Sequence, residues 1–278
     1  MRCVHDMRLE APLARVEGAA FNFVRHMQIA MAIQRPPRHP VVVPDTLLAR
    51  LSREAYEDSA PSIEGFEHLR VSGATKWGDG VIRADLFRCS DEQIACCVFR
   101  GTDSIQAWGT NLLVTTAETG YGGEAHEGFV KAWNSVRDEV LEFIGDAEEF
   151  VFSGHSLGGA LATLACWDRM AAPSPCVCRC VTFGAPRVLT HKAAGRYNGL
   201  LRRGGHVHIR YQVDMDLVPQ VPLALRFRHV GQTELLWPQA WHQRARRALA
   251  CATKPVDGFK RVRRNHDMGS YITALEEE

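Results

Sequence analysis

The sequence predicts an α/β protein with a central, mostly parallel β-sheet and helices on both of its faces. Apolar runs at residues 94–99, 149–152 and 177–183 are typical of buried strands, and helical patterns separate them. Strands that alternate with helices form parallel sheets, because each helical crossover returns the chain to the same edge of the sheet. Several polar residues follow the predicted strands directly. In such sheets the loops beyond the carboxyl ends of the strands carry the chemistry.

Length, charge and cysteine content are those of a sizeable globular protein. The chain has 278 residues, a formal net charge of +1 and nine cysteines. The small net charge argues against nucleic acid as a partner, and an odd number of cysteines cannot form a complete set of internal disulfides. No run is apolar enough to span a membrane, and the N-terminus lacks a signal-peptide pattern. We therefore expect reduced thiols and a cytoplasmic location, unless a targeting segment is missing from this sequence.

Two segments are expected: an N-terminal arm at residues 1–44 and one folded α/β domain at residues 45–278. Residues 11–34 have a weak helical pattern, which a proline-rich stretch then ends. From Asp45 onward, apolar residues three and four positions apart predict a helix, with Asp45 itself as its N-cap.

Between residues 81 and 143 the pattern predicts two strands, a glycine-rich loop and a long helix. Residues 81–87 alternate as a half-buried strand, and residues 94–99 form its buried neighbour. Residues 109–125 are apolar and then glycine-rich, which is typical of a surface loop and also of a mobile flap with glycine hinges. Apolar residues recur every three or four positions from Phe129 to Phe143, so they predict one helix of about four turns.

The serine within residues 154–159, Gly-His-Ser-Leu-Gly-Gly, is a candidate nucleophile. A G-x-S-x-G run between a strand and a helix forms a sharp turn that presents the serine. Glycines at 154 and 158 remove the β-carbons that would collide in this turn. The following helix points its first N–H groups at any oxyanion formed nearby. An incidental serine in a glycine-rich turn is the alternative, but the flanking strand and helix favour Ser156 as a nucleophile.

Downstream of this serine, the pattern predicts further strands and helices. They are strands at 177–183 and 207–211, a helix at 190–201, a hairpin of 226–230 and 233–237 around Gly231, and a terminal helix at 267–275. Of two acids after the strand at 207–211, Asp216 is favoured over Asp214 because prolines stiffen the backbone that follows it. His266, in a loop before the terminal helix, is the favoured base. The rival histidines are His126, His155 and His229. The order serine, aspartate, histidine is that of an α/β-hydrolase.

Six ordered motifs resemble the class 3 lipase family, the fungal-lipase-like α/β hydrolases, over about residues 45–278. They are VFRGT at 98–102, HEGF at 126–129, GHSLGGA at 154–160, TFGAPRV at 182–188, DLVP at 216–219, and His266 followed by Tyr271. The resemblance implies an α/β-hydrolase fold with Ser156 as nucleophile, Asp216 as acid and His266 as base. It also implies an oxyanion hole at Thr102 and the backbone N–H of Leu157, and a lid within residues 109–125.

Three positions depart from the family pattern and leave the catalytic atoms in place. Val213 stands where an asparagine usually precedes the acid by three residues, and Asn265 stands where an aspartate often precedes the base. Ala107 stands where a polar or acidic residue often precedes the tryptophan. These departures concern the fine positioning of the site and leave the expected reaction class unchanged.

The expected activity is hydrolysis of carboxylic ester bonds in acylglycerols or related lipids, through an acyl-enzyme intermediate. No metal or organic cofactor is required. A phospholipase A1-type enzyme, a short-chain esterase and a non-catalytic hydrolase-fold binding protein are the alternatives. Basic residues at 244–264, close to Trp237 and Trp241, could contact an anionic membrane or a lipid-droplet surface. A solvated charged face is the other interpretation of that stretch.

Two short arrays contain residue types that bind metals, but neither has the spacing of a zinc site. Residues 176–180 place a cysteine at every second position, and residues 206–208 place two histidines likewise. No C-x-x-C pair completes a zinc set, and alternate strand residues share one face of a sheet. We therefore expect free thiols and structural histidines there.

Overall fold

The computed structural model describes residues 43–74, 81–89, 91, 93–102, 115–173, 175–214, 216–236 and 266–277. Val42–Glu278 forms one compact unit. The predicted arm at 1–44, its helix at 11–34 and the basic stretch at 244–264 lie essentially outside the described residues and stay predictions. Within the described part of the chain, no helix is long and apolar enough to cross a membrane.

Two β-sheets contain the strands of the described residues. In chain order the strands are β1 (Glu67–Ala74), β2 (Val81–Cys89), β3 (Ile94–Phe99), β4 (Thr116–Glu118), β5 (Glu124–His126), β6 (Glu149–His155), β7 (Val177–Phe183), β8 (Leu189–Thr190), β9 (Val207–Val213), β10 (Phe227–Arg228) and β11 (Gln232–Leu236). The central sheet has seven strands in the order β1-β2-β3-β6-β7-β9-β11. Strands β3, β6, β7, β9 and β11 are parallel, whereas β2 is antiparallel to both of its neighbours. The predicted mostly parallel sheet is confirmed.

The predicted hairpin around Gly231 is wrong, because its two strands belong to different sheets. Strand β10 pairs antiparallel with β8 in a small second sheet of order β10-β8-β5-β4. Strand β11 instead pairs parallel with β9 at the edge of the central sheet. Gly231 turns the chain between them with φ 71°, and a β-carbon there would lie 2.4 Å from the carbonyl oxygen of His208. The chain passes so close to β9 that only glycine fits this turn.

Helices cover both faces of the central sheet. They are α1 (Asp45–Glu54), α2 (Glu127–Asn134), α3 (Arg137–Ile144), α4 (Leu157–Ala171), α5 (His191–Gly204) and α6 (Met268–Glu276). Buried side chains of α2, α3, α4 and α5 pack on one face, around Trp133 and Trp167. Those of α1 and α6 pack on the other face, around Leu48 and Tyr271. The expected helices on both faces are therefore present, and a short 3₁₀-helix, Val218–Gln220, follows β9.

Two helix predictions need correction. The single helix expected at 129–143 is two helices, because Ser135 ends α2 and donates its hydroxyl to the carbonyl oxygen of Ala132 at 2.8 Å. Val136 has a non-helical φ of −127° before α3 begins. Asp45 is the first helical residue of α1 and not its N-cap, which is Pro44. The Asp45 carboxylate instead accepts hydrogen bonds from two strands of the central sheet, from Arg179 of β7 and from Tyr211 Oη of β9.

The expected flap at 109–125 is also changed by the structure. Its later part is a β-hairpin of β4 and β5, which is fixed in the second sheet by pairing with β8. Gly120 and Gly122 adopt positive φ at the tip of this hairpin, so they form its turn. Residues 109–114 lie outside the described residues.

Candidate active site

Ser156 lies in a strained turn between β6 and α4, at the carboxyl edge of the central sheet. Its backbone has φ 57° and ψ −123°, a conformation that is costly for a residue with a β-carbon. A β-carbon on Gly154 would lie 2.4 Å from the carbonyl carbon of Gly158, and one on Gly158 would lie 2.0 Å from the carbonyl oxygen of Phe99. The two glycines therefore let the turn form against β3, as the sequence predicts.

The two residues proposed for the oxyanion hole follow neighbouring strands, at the same edge of the central sheet. Strands β3 and β6 are parallel neighbours, with Phe99 opposite Gly154. Thr102, which is buried, follows β3 as Ser156 follows β6. Leu157 is the first residue of α4, whose positive dipole end therefore lies at this edge. The arrangement suits stabilisation of an anion beside Ser156.

Asp216 and His266 form a buried hydrogen-bonded pair. His266 Nδ1 lies 2.8 Å from Asp216 Oδ2, and both side chains are almost fully enclosed. Asp216 follows β9 in a tight turn, where its Oδ1 accepts the backbone N–H of Val218 at 2.9 Å. The carboxylate can only accept hydrogen bonds, so it fixes the imidazole tautomer with the proton on Nδ1. His266 Nε2 is buried and has no hydrogen-bond partner among the described residues.

Tyr271 completes the surroundings of the acid. Its hydroxyl donates to Asp216 Oδ2 at 2.5 Å. Burial, and then the negative charge of Asp216, raise the pKa of Tyr271 well above its ordinary value, so it remains a donor. Gly184, with φ 58°, lies against this cluster, and a β-carbon there would lie 2.8 Å from both Asp216 Oδ2 and Tyr271 Oη. The glycine in the motif at 182–188 is therefore needed to leave room for the acid.

His155, which precedes the serine, contacts the segment that carries His266. Its Nε2 lies 2.7 Å from the backbone carbonyl oxygen of His266, and its Nδ1 lies 2.8 Å from Tyr56 Oη. A carbonyl oxygen only accepts, so Nε2 carries the proton and Nδ1 accepts from the tyrosine. Burial, and then His266, lower the pKa of His155 well below its ordinary value, so its ring is neutral.

Sequence reasoning does not identify this contact. Adjacent residues on a sharp turn point apart, so the pattern indicates only that His155 faces away from the serine, and it gives no sign of where a distant segment returns. Tyr56, just after α1, is missed for the same reason. The only signal is that a histidine inside the Gly-His-Ser-Leu-Gly run is too polar to be buried without partners.

The rival acid and base have other contacts. His229 Nε2 lies 2.7 Å from the carbonyl oxygen of Pro219, and burial lowers the pKa of His229 to about 3. The sequence disfavours His229 as the base because it falls inside the hairpin predicted around Gly231, but that reason is wrong, since β10 and β11 belong to different sheets. The backbone N–H of Asp214 donates to the carbonyl oxygen of Leu236 at 3.3 Å.

The cysteine and histidine arrays contact each other and the sheet. Cys176 Sγ lies 3.8 Å from Cys178 Sγ, and His206 Nδ1 accepts the backbone N–H of Cys178 at 3.1 Å. His208 Nδ1 pairs with Tyr197 Oη at 2.9 Å. Across the residues that the structure describes, no group of three or more histidine, cysteine, aspartate or glutamate side chains is arranged to hold a metal ion.

Comparison with known proteins matches the middle of the chain to one family. Residues 96–226 match the family model "Lipase (class 3)". Phospholipase A1 PLIP2, chloroplastic, from Arabidopsis thaliana is 32% identical over 118 residues, which cover 38% of this chain and 16% of that protein. Secreted mono- and diacylglycerol lipase A from Penicillium cyclopium is 28% identical over 171 residues, which cover 58% of this chain and 52% of that protein. The chain thus spans about half of one relative and far less of the other.

Solved structures agree with the fold. A structure of Rhizomucor miehei triacylglyceride lipase aligns with a TM-score of 0.58 at 23% identity, and covers 72% of this chain and 80% of that one. At this identity the similarity establishes the α/β-hydrolase fold. His266 and Tyr271 lie beyond the residues matched by the family model, so their assignment depends on the contacts described above.

Proposed function

We propose that this chain, whose residues 96–226 belong to the class 3 lipase family, is a serine hydrolase that cleaves carboxylic ester bonds of acylglycerols or related lipids. The observation that carries the proposal is the buried pair of His266 and Asp216, with Nδ1 and Oδ2 2.8 Å apart. It occurs at the same sheet edge as the strained Ser156 turn, and such a combination is what nucleophilic catalysis requires.

The proposed reaction has two halves. Ser156 Oγ attacks the ester carbonyl while His266 Nε2 accepts the hydroxyl proton, and His266 then delivers that proton to the leaving alcohol. Water attacks the resulting acyl-enzyme by the same route, and the free acid leaves. Asp216 keeps the proton on Nδ1 and stabilises the imidazolium, while Tyr271 and the N–H of Val218 hold the carboxylate in place.

Thr102 and the backbone N–H of Leu157 are the proposed oxyanion hole. Donors fixed at the carboxyl edge before the reaction begins cost no reorganisation when negative charge develops on the carbonyl oxygen. Each such donor typically stabilises the transition state by about 3 kcal/mol. No metal or organic cofactor takes part in this scheme.

An acylglycerol is the first proposed substrate, supported by the similarity to a secreted mono- and diacylglycerol lipase. A phospholipid is the second, supported by the similarity to a chloroplast phospholipase A1. The basic stretch at 244–264 is consistent with contact to an anionic membrane or lipid-droplet surface.

Ester turnover by matched serine variants tests the proposal. Ser156→Ala should abolish hydrolysis of a short p-nitrophenyl ester. Ser135→Ala, a change at the end of α2, should retain it. Comparable turnover by a folded Ser156→Ala protein contradicts the mechanism. The parent protein would then be compared on diacylglycerol, triacylglycerol and phosphatidylglycerol, both dissolved and in micelles, to decide between the two substrate classes.

A further inference from the structure

A second buried polar cluster lies in the middle of β9 and contains none of the proposed catalytic residues. Its centre is Arg210, a residue that is only 7% exposed. In the central sheet Arg210 lies directly opposite Thr182 of β7 and Thr233 of β11. His208, two residues earlier on β9, is on the same face and is also buried.

Most hydrogen-bond donors of this cluster have no acceptor. Arg210 Nη2 donates to Thr233 Oγ1. Four other atoms are enclosed and have no hydrogen-bond partner among the described residues: Arg210 Nε, Arg210 Nη1, Thr182 Oγ1 and His208 Nε2. His208 Nδ1 pairs with Tyr197 Oη, which leaves Nε2 as the ring nitrogen without a partner. Buried polar atoms without partners are uncommon in folded proteins, and four together need an explanation.

The positive charge of the cluster is also uncompensated. Burial, and then the charge of nearby Arg187, lower the pKa of Arg210 to about 10, so Arg210 remains protonated at neutral pH. Arg187 donates to the carbonyl oxygens of Gln220 and Pro222. Within the residues that the structure describes, neither guanidinium forms an ion pair with a carboxylate. A buried charge without a counter-charge is strongly destabilising.

The neighbouring acceptors are already in use. Arg187 occupies the carbonyl oxygens of Gln220 and Pro222, at and just after the end of the short 3₁₀-helix, and His229 occupies the carbonyl oxygen of Pro219. What remains around Arg210 is a set of donors with a net positive charge. A water molecule could accept some of these hydrogen bonds but would supply no negative charge, and a metal cation would be repelled.

We propose that Arg210, together with Thr182 and His208, binds a small inorganic anion of the size of chloride. The four unpartnered atoms are enclosed, which favours a monatomic ion over a phosphate or a carboxylic acid. Thr233 lies exposed on edge strand β11, so an ion has a short path from solvent. The inference does not depend on ester hydrolysis, and it predicts that the anion stabilises the loop after Asp216, which Arg187 and His229 hold.

The test is thermal unfolding in sodium chloride and in sodium gluconate at equal ionic strength and pH 7.5. With chloride at ten times its dissociation constant, the midpoint of unfolding should rise by about 2–5 °C relative to gluconate. Bromide should have the same effect as chloride. Equal midpoints of the wild-type protein in chloride, bromide and gluconate overturn the proposal.

Variants of Thr233 give a matched control, because this residue touches Arg210 and is exposed. Thr233→Glu places a carboxylate beside Arg210, so it should raise the midpoint in gluconate and remove the difference between the two salts. Thr233→Gln has the same size without the charge and should keep that difference. A chloride effect of equal size in Thr233→Glu and Thr233→Gln shows a general salt effect and contradicts a site at Arg210.

Discussion

Two buried polar clusters lie along β9, and they differ in how their charges are compensated. Beyond the carboxyl end of the strand, the Asp216 carboxylate is hydrogen-bonded to His266, Tyr271 and the N–H of Val218. In the middle of the strand, Arg210 contacts one threonine hydroxyl and faces a second cation. One strand therefore holds an anion with its partners complete and a cation with its partners missing.

The difference shows what each cluster can do. A carboxylate with every hydrogen bond fixed cannot reorient, so it can hold His266 in one tautomer through a reaction. A guanidinium with free donors instead has affinity for an anion that reaches it.

Breaking the compensated cluster should have the largest effect. His266→Ala should lower kcat for a p-nitrophenyl ester by about four orders of magnitude, nearly as much as Ser156→Ala, because such residues act as a unit. Asp216→Asn should lower kcat about a thousandfold or more, since the amide permits the wrong tautomer. Steady-state kinetics on folded variants measures both effects.

Asp214→Asn is the control for the acid. Asp214 lies two residues from Asp216 and has the same charge. The Asp214→Asn variant should keep most of the activity. An inactive, folded Asp214→Asn protein beside an active Asp216→Asn protein would reverse the assignment of the acid.

His155 allows a finer test, because glutamine and asparagine each replace one of its two nitrogens. In the His155→Gln variant, the new amide nitrogen would lie near the position of Nε2 and could still donate to the carbonyl oxygen of His266. In the His155→Asn variant, the shorter amide reaches only the position of Nδ1. We expect His155→Asn to lower kcat about ten- to a hundredfold with little change in KM, and His155→Gln to lower it much less.

The midpoint of thermal unfolding separates positioning from stability in this pair. If His155 acts only through packing, the two variants should lose kcat in proportion to their loss of stability. Equal kcat values for His155→Asn and His155→Gln at equal stability would show that the contact with His266 does not position the base.

The uncompensated cluster should make stability depend on pH. Burial, and then the charge of Arg210, lower the pKa of His208 and of His229 to about 3. The unfolded chain titrates near 6.5, so between those values it binds protons that the folded chain does not, and stability falls as the pH falls. From pH 6.5 to pH 5, each buried histidine should remove about 2 kcal/mol of stability.

Urea unfolding at pH 7.5 and at pH 5 measures this loss. His229→Gln should reduce the difference between the two free energies of unfolding. An equal pH dependence in His229→Gln and the parent protein would show that His229 is already protonated or is accessible to water when folded.

The sequence predicts the central sheet well, because its strands are apolar runs with local signatures. The predicted strands at residues 94–99 and 177–183 have the bounds that the structure shows. Strand β1 escapes prediction, since apolar Leu69 lies at an exposed position, so its apolar residues do not mark a buried face, and its pairing with β2 is not visible locally. The second sheet escapes prediction because β8 and β10 have two residues each, too few for a periodic pattern.

Of the candidate site, sequence motifs indicate the residues that lie next to a conspicuous turn. Ser156 has a glycine two residues away on each side, and Asp216 lies three residues before Pro219. The contacts of His155 with His266 and of Arg210 with Thr233, and the position of Arg210 opposite Thr182, join segments that are far apart in the chain. Such contacts follow from the register of neighbouring strands and from the path of the last helix, which no local pattern specifies.

Covalent labelling with a p-nitrophenyl alkylphosphonate tests the central claim most directly, because it reports the nucleophile without depending on the natural substrate. The parent protein should release one equivalent of p-nitrophenolate per chain and carry the phosphonyl group on Ser156 in peptide mass spectra. Ser156→Ala should remain unlabelled, and Ser135→Ala should be labelled like the parent. A folded parent protein that stays unlabelled, or that carries the label on another residue, would contradict the assignment of Ser156 as the nucleophile.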